Sequence, residues 1–211
     1  MLPDPSVLIP FTLAVVAITL TPGPDMTFFI GRAITQGRAA GLAAMAGAFS
    51  GILVHTMLVA FGLSALVVAA PTAFAALKIA GALYLAWLAM QAIRHGSAFA
   101  LPGGAPSRAS LVATWASGVA INLLNPKILL FFMTFLPQFV RPGDPEAAAK
   151  FITLGLLFMA IALIITLPLV LAADRVASLL RHRPRIARTI DWLFAGIFAT
   201  FAVQLLLGRG R

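Results

Sequence analysis

Apolar residues run along this chain in long uninterrupted blocks, not in the alternation of a surface strand or the three-and-four spacing of a surface helix. Six blocks are long enough to cross about 30 Å of hydrocarbon, which takes about 20 residues. They lie near 7–30, 42–69, 73–93, 111–136, 150–172 and 189–207. Polar residues and helix breakers gather at the joints. Pro71 and Thr72 part the second block from the third, and RPGDPE, 141–146, forms a tight polar connection after the fourth. GSAFALPGGAPSRAS, 96–110, is a linker rich in Gly, Pro and Ser near mid-chain. The pattern predicts an all-α integral membrane protein: one domain of six transmembrane helices, with repeat one over about 1–95 and repeat two over about 111–211.

Two of the blocks are interrupted. The first contains TPGPDM, 21–26, and the fourth contains INLLNPK, 121–127. Proline lacks an amide hydrogen and clashes with the preceding turn, so a helix stops before it. It is comfortable at the first position of the next helix. Thr21 and Asn125 are suitable capping residues beside these prolines. The helix-break residues are thus Thr21, Pro22, Gly23 and Pro24 in the first block and Pro126 in the fourth. Aligning Pro24 with Pro126 sets Asp25 against Lys127. Two halves of three spans each must be inverted in the membrane. Broken spans at matching places in such halves mark a transporter binding site, where half-helix ends face the substrate. The fold expected is a 3+3 inverted repeat with broken first and fourth helices. A packing kink alone is the plainer account of either break taken singly.

Composition strengthens the membrane reading: 61% of residues are hydrophobic and 10% charged, against about half and about a quarter in soluble domains. The net charge of +9 would suggest nucleic acid in a soluble protein. Here the basic residues sit between apolar blocks, which is the positive-inside signal, so no nucleic-acid partner is expected. The loops holding Arg32, Arg38, Arg94, Arg108, Arg175 and the run RHRPRIAR, 181–188, are the richer set. They are expected on the cytoplasmic side, with both termini outside. The 181–188 run also suits anionic lipid headgroups. The segment MLPDPSVLIP has no Lys or Arg, so the first block is read as mature structure. The chain has no cysteine, which excludes thiolate metal sites and disulfides, and neither a metal nor a cofactor is expected.

Few ionisable side chains fall well inside the blocks: Asp25, His55, Lys78 and Lys127, while Asp174 and Asp191 sit at block ends, where solvation is cheap. A charge at mid-bilayer costs about 2.5–3.5 kcal/mol on insertion scales, so such groups pair or line a pathway. Asp25 and Lys127 are natural partners, as a structural ion pair or as the anion and cation that hold an amino acid. Gly47, Gly51 and His55 share a helix face, which reads as a close-packing stripe ending in a hydrogen-bonded His, or as a proton-accessible group. The stripe serves either packing within one chain or a homodimer. Lys78 near a span end snorkels to the headgroups. Tyr84, Trp87 and Gln91 share one side of the third span and either line a cavity or pack there. Phe28, Phe29, Phe131 and Phe132 fill core or lipid-facing space or wall a pocket.

At these residues the chain resembles the LysE/RhtB superfamily of amino-acid exporters. The likeness is carried by TPGPDM at 21–26, GILVH at 51–55, LKIAGALYLAWLAMQAIR at 77–94 and INLLNPKILLFFMTFLPQF at 121–139. With the six-span layout it covers nearly the whole chain. By position it singles out Pro22, Gly23, Pro24, Lys78, Asn122, Asn125, Pro126 and Lys127. It implies a secondary exporter in the bacterial inner membrane, driven by the proton gradient. The fifth span departs from many relatives in carrying no acidic group. The expected substrate site comprises Asp25, Lys127, Asn122, Asn125, Pro24, Pro126 and Tyr84, with Asp25 and His55 as proton-coupling candidates. With no second buried acid, a small neutral amino acid is expected over lysine or arginine. A membrane enzyme would need two carboxylates, a Ser–base pair or a metal cluster at depth, and the spans supply one acid and one His. A non-transporting scaffold or resistance factor, and the same fold with another small metabolite as cargo, are the remaining rivals.

Overall fold

A computed structural model of the chain describes residues 5–21, 23–63, 109–141 and 144–173, with scattered positions between 79 and 94 and between 175 and 203. Every regular element among them is helical. These are α1 (Pro5–Leu20), α2 (Pro24–Gln36), α3 (Arg38–Leu58), α4 (Leu111–Leu123), α5 (Pro126–Leu130) and α6 (Ala147–Leu171). A π turn, Val59–Leu63, extends α3, and α5 continues as a π turn, Phe131–Phe135, and a 3-10 turn, Leu136–Phe139.

Among the described residues two helices are long and apolar enough to cross a membrane, Arg38–Gly62 and Ala147–Leu171. Two bent pairs also qualify if each is one span: Leu8–Leu20 with Pro24–Gln36, and Leu111–Leu123 with Pro126–Phe139, each bent by 50°. The first and fourth blocks are therefore broken, at the prolines the sequence marks. Most of the third and sixth blocks, residues 96–108 of the linker and 181–187 of the basic run lie outside the described residues.

The connection between the first two blocks is shorter than expected. The apolar pattern leaves 31–41 as a loop, yet α2 runs to Gln36 and α3 starts at Arg38. Gly37 alone makes the turn, at φ 91°, a left-handed conformation that glycine adopts without steric cost. Polar residues such as Arg32 and Gln36 do not end a membrane helix; they mark where it leaves the hydrocarbon.

In α6 the helical period shows in burial, not in polarity. Phe151, Leu154, Phe158, Ala162, Thr166 and Val170 face the protein, while Leu156, Leu163, Ile164 and Leu171 are exposed. An apolar face turned outward suits lipid and not water. The inner face of α6 meets an aromatic cluster that joins both broken helices. Phe131 lies 5.2 Å from Phe158, and Phe11 of α1 lies 5.3 Å from Phe139, edge to face.

Among the described residues α3 and α4 pack backbone to backbone. A Cβ on Gly47 would fall 2.1 Å from the Trp115 carbonyl oxygen, and one on Gly118 would fall 2.3 Å from that of Ala44. Small residues let the two backbones touch. Gly47 and Gly51 are thus spent inside one chain, not on a second copy. Trp115 Nε1 donates to Ser50 Oγ across the same seam at 3.2 Å. The RPGDPE connection is tied by Lys150, which pairs with Asp144, and by the Glu146 N–H, which donates to Asp144 Oδ1 at 2.9 Å.

Candidate functional site

The first break is built from backbone. α1 ends at Leu20, where the Thr21 N–H and hydroxyl both donate to the Ala17 carbonyl, at 3.0 and 2.7 Å. Thr21 therefore closes α1; it does not cap α2, as expected from sequence. The cap position of α2 is Gly23, extended at φ −157° and ψ −179°, and it makes no side-chain cap bond. Both Thr21 and Gly23 precede a proline, and Pro24 is the one that starts the helix. Asp25 stands next to it in the first turn, where a carboxylate is favoured by the helix dipole. Pro22 lies outside the described residues.

The second break carries a true side-chain cap. Asn125 Oδ1 accepts from the Lys127 N–H at 3.0 Å, with Pro126 as the first residue of α5. That bond also fixes the amide: the carboxamide oxygen faces the helix and Nδ2 faces away.

Two contacts join the breaks. Asn122, in the last turn of α4, donates from Nδ2 to Asp25 Oδ2 at 2.8 Å. Lys127 is buried and donates from Nζ to the carbonyls of Ile18 at 3.0 Å and Thr21 at 2.8 Å. The direct Asp25–Lys127 ion pair expected from sequence does not form; the ion pairs among the described residues belong to Lys150. The reason is local. The end of α1 exposes carbonyls with a partial negative charge, and the lysine reaches them before it reaches the carboxylate. Asp25 still lies within the electrostatic reach of Lys127 and His55.

His55 completes the wall. Its Nε2 lies 3.4 Å from the Asn122 carbonyl oxygen, and its ring stacks on Phe132 at 5.7 Å. The carbonyl only accepts, so Nε2 carries the hydrogen. The Asn125 N–H shares that carbonyl at 3.0 Å.

Three polar atoms at this junction are buried without a hydrogen-bond partner: Asp25 Oδ1, Asn122 Oδ1 and Asn125 Nδ2. Asn125 faces Asp25 but does not meet hydrogen-bond geometry with it. Each buried polar group left unpaired costs about 1–3 kcal/mol. Two acceptors and one donor left unpaired at one junction, with Asn122 Oδ1 on the Gly51 side of its amide, give it a chemical preference: a ligand presenting both N–H groups and an acceptor oxygen.

Asp25, Asn122, Asn125, Lys127 and His55 are thus brought together around the two breaks. Pro24 and Pro126 are exposed and act by starting their helices. Phe29, Phe131 and Phe132 are core residues, and Phe28 lies under the Arg32 guanidinium at 5.1 Å. Tyr84, Lys78 and Gln91 lie outside the described residues. Two contributors escape a reading by residue type. Gly51 is one: a Cβ there would fall 2.5 Å from Asn122 Oδ1. The carbonyls of Ile18 and Thr21 are the other, since backbone acceptors leave no mark in a sequence. Among the described residues no group of His, Asp and Glu can hold a metal ion.

Residues 16–209 match the LysE type translocator family. The chain is 30% identical over 199 residues to an uncharacterised membrane protein of Pseudomonas aeruginosa, covering 92% of each. It is 28% identical to the homoserine/homoserine lactone efflux protein of Salmonella typhimurium, covering 94% of this chain and 95% of that one. It is 29% identical to the leucine efflux protein of Klebsiella pneumoniae, covering 92% of each. No solved structure matches. A family match over nearly the whole length, on a chain of apolar helices with two breaks, makes this a membrane translocator and not an enzyme: the chain belongs to the LysE type translocator family.

Proposed function

We propose that this protein exports small neutral amino acids across the bacterial inner membrane in exchange for protons, by alternating access around the two breaks. The observation that carries the reading is the unpaired trio of Asp25 Oδ1, Asn122 Oδ1 and Asn125 Nδ2. An α-amino acid has the complementary groups. Its ammonium donates to Asp25 Oδ1 and Asn122 Oδ1, and its carboxylate accepts from Asn125 Nδ2. Neutrality of the side chain follows from the acids available. Asp25 is spent on the ammonium, and the block interiors offer no second acid for a cationic side chain, since Asp191 sits at the end of the sixth block. The names of two relatives point the same way, because leucine and homoserine both have uncharged side chains.

The equal 50° bends support a 3+3 inverted repeat, with one break contributed by each half. The arginine-rich joints support an orientation with both termini outside. Asp25, whose Oδ1 would take the ammonium, and His55, whose Nε2 sits on the Asn122 carbonyl, are the proton-coupling candidates.

Purified protein in liposomes tests the reading. Leucine, threonine and homoserine should exchange, and a pH gradient should drive their accumulation, while lysine moves at least about tenfold more slowly. Lysine transport with none of the three neutral amino acids overturns the substrate class. No flux of any amino acid favours the scaffold reading.

A further inference from the structure

The geometry points to Lys127 as the group that carries the coupling proton, with its ammonium latching the first break to the second. The inference rests on the reading of the chain as a proton-coupled exporter. Neither of the more obvious candidates is as free to exchange a proton. Asp25 holds Asn122 with one oxygen and offers the other to the substrate. His55 is tied to the Asn122 carbonyl and stacked on Phe132. Lys127 is a buried cation with no carboxylate against it, held by the Ile18 and Thr21 carbonyls at the end of α1. Loss of its proton breaks no direct ion pair among the described residues.

Among the described residues the charged or titratable groups that act on it are few. Asp25 of α2 does so, and His55 of α3 acts on Asp25. The described parts of α1 and α4, α5 beyond Lys127, and α6 after Lys150 bring none. The step balances simply. The Nζ lone pair takes a proton from water on the outer side, and an N–H bond forms. On the inner side that bond breaks, the proton passes to water and the electron pair returns to nitrogen. The neutral amine keeps two N–H donors but loses the charge assistance, which is about half the strength of each bond. The latch between α1 and α5 then loosens, which is what an alternating-access cycle needs at a point where two broken helices meet.

Gly23 is the second half of the device. Its extended backbone suits any residue, yet a Cβ there would sit 2.9 Å from Nζ and 3.2 Å from Cε of Lys127. The glycine keeps space for the ammonium. Gly23→Ala therefore displaces the flexible end of one side chain and leaves the helices in place.

The test compares two fluxes in liposomes: amino-acid exchange at equal pH, and accumulation driven by a pH gradient. In Lys127→Gln the ratio of driven accumulation to exchange should fall at least about tenfold, and its pH dependence should flatten. In Gly23→Ala the ratio should fall by a smaller factor, about threefold. A wild-type ratio in either variant overturns the assignment, and so does a proportional fall of both fluxes in Lys127→Gln, which would make the lysine a substrate ligand or a packing group. If Lys127→Gln does not fold, Gly23→Ala decides alone. Failure of the underlying reading looks different: wild-type protein that exchanges nothing, or ignores the pH gradient, removes the proton-coupled exporter and this assignment with it.

Discussion

The two breaks share a bend of 50° and a proline at the start of the second half-helix, but they are built differently. The second break carries its own side-chain cap: Asn125 caps α5, while Lys127 reaches across to two carbonyls at the end of α1. The first has no side-chain cap and relies on its partner. Asn122 steadies Asp25, and Lys127 ties down the end of α1. Matching position in two halves therefore does not mean matching role. The first break presents the charge, and the second holds the first in place while adding one amide donor to the site. The difference follows from chemistry. A carboxylate beside a helix N-terminus is stabilised where it stands, whereas a lysine there is repelled and must reach elsewhere for a negative partner.

The strongest way to break this comparison is Asp25→Asn. The amide keeps the size of the side chain and can still bond Asn122, so folded protein should be recovered in detergent. The negative charge that receives an ammonium is lost, and flux in liposomes should fall by about a hundredfold or more. Wild-type flux would move the site away from the first break.

Gly51→Ala sharpens the dependence of one break on the other. The new methyl would fall 2.5 Å from Asn122 Oδ1 and 2.8 Å from Asn122 Cβ. Asn122 must move, and Asp25 loses the bond that Asn122 donates. Overpacking of this kind costs about 1–3 kcal/mol. A lower melting temperature and about a tenfold loss of flux are expected together. A stability loss with full flux would mean that Asp25 needs no support from α4.

Much of this was legible in the residues. The apolar blocks announce membrane helices, and TPGPD and NPK announce where two of them break. The Asn125 cap follows from the Asn-Pro pair. The first cap was less legible, because Thr21-Pro22 and Gly23-Pro24 are both acceptable starts and only packing selects the second. The partner of Lys127 was hidden for another reason. Reading by side chain pairs a cation with the acid in the matching position, while the structure uses carbonyls at a helix end, which every helix has and no sequence displays. Gly37 was hidden in plain view: a single residue makes the turn that the polar stretch 31–41 suggested would be a loop.

Asn125→Ala probes the capped break. Loss of an asparagine cap costs about 1 kcal/mol, and here the Lys127 N–H is left buried without its acceptor. Thr21→Val is the companion at the first break, where the hydroxyl bond to Ala17 is lost but the Thr21 N–H still serves the same carbonyl. Thermal melts in detergent should show the larger loss for Asn125→Ala. Equal losses would mean that the two breaks are capped alike.

Asp144→Asn has the smallest expected effect and sets the baseline for the others. Asp144 lies in the polar connection before α6, where Lys150 donates to it and the Glu146 N–H supplies a second bond. The Lys150 bond, and after it that from Glu146, holds the Asp144 carboxyl below the usual carboxylate range. Its contribution is therefore complete at neutral pH and fades only as the pH falls through that lowered range. Pairs in surface loops, with the lysine about a third exposed as here, add little, because water and salt screen them. The variant should match wild-type flux at every pH and show at most a slight loss of melting temperature near neutrality, a loss that disappears in acid. The same removal of a carboxylate charge at Asp25 should abolish transport. What separates the two is the surroundings: Asp25 has one oxygen buried without a partner at the meeting of two helix ends, and Asp144 has its partners already. A large flux loss in Asp144→Asn would show that removing any acid from this strongly basic chain is enough, and the distinction drawn between the first break and the rest of the molecule would fall.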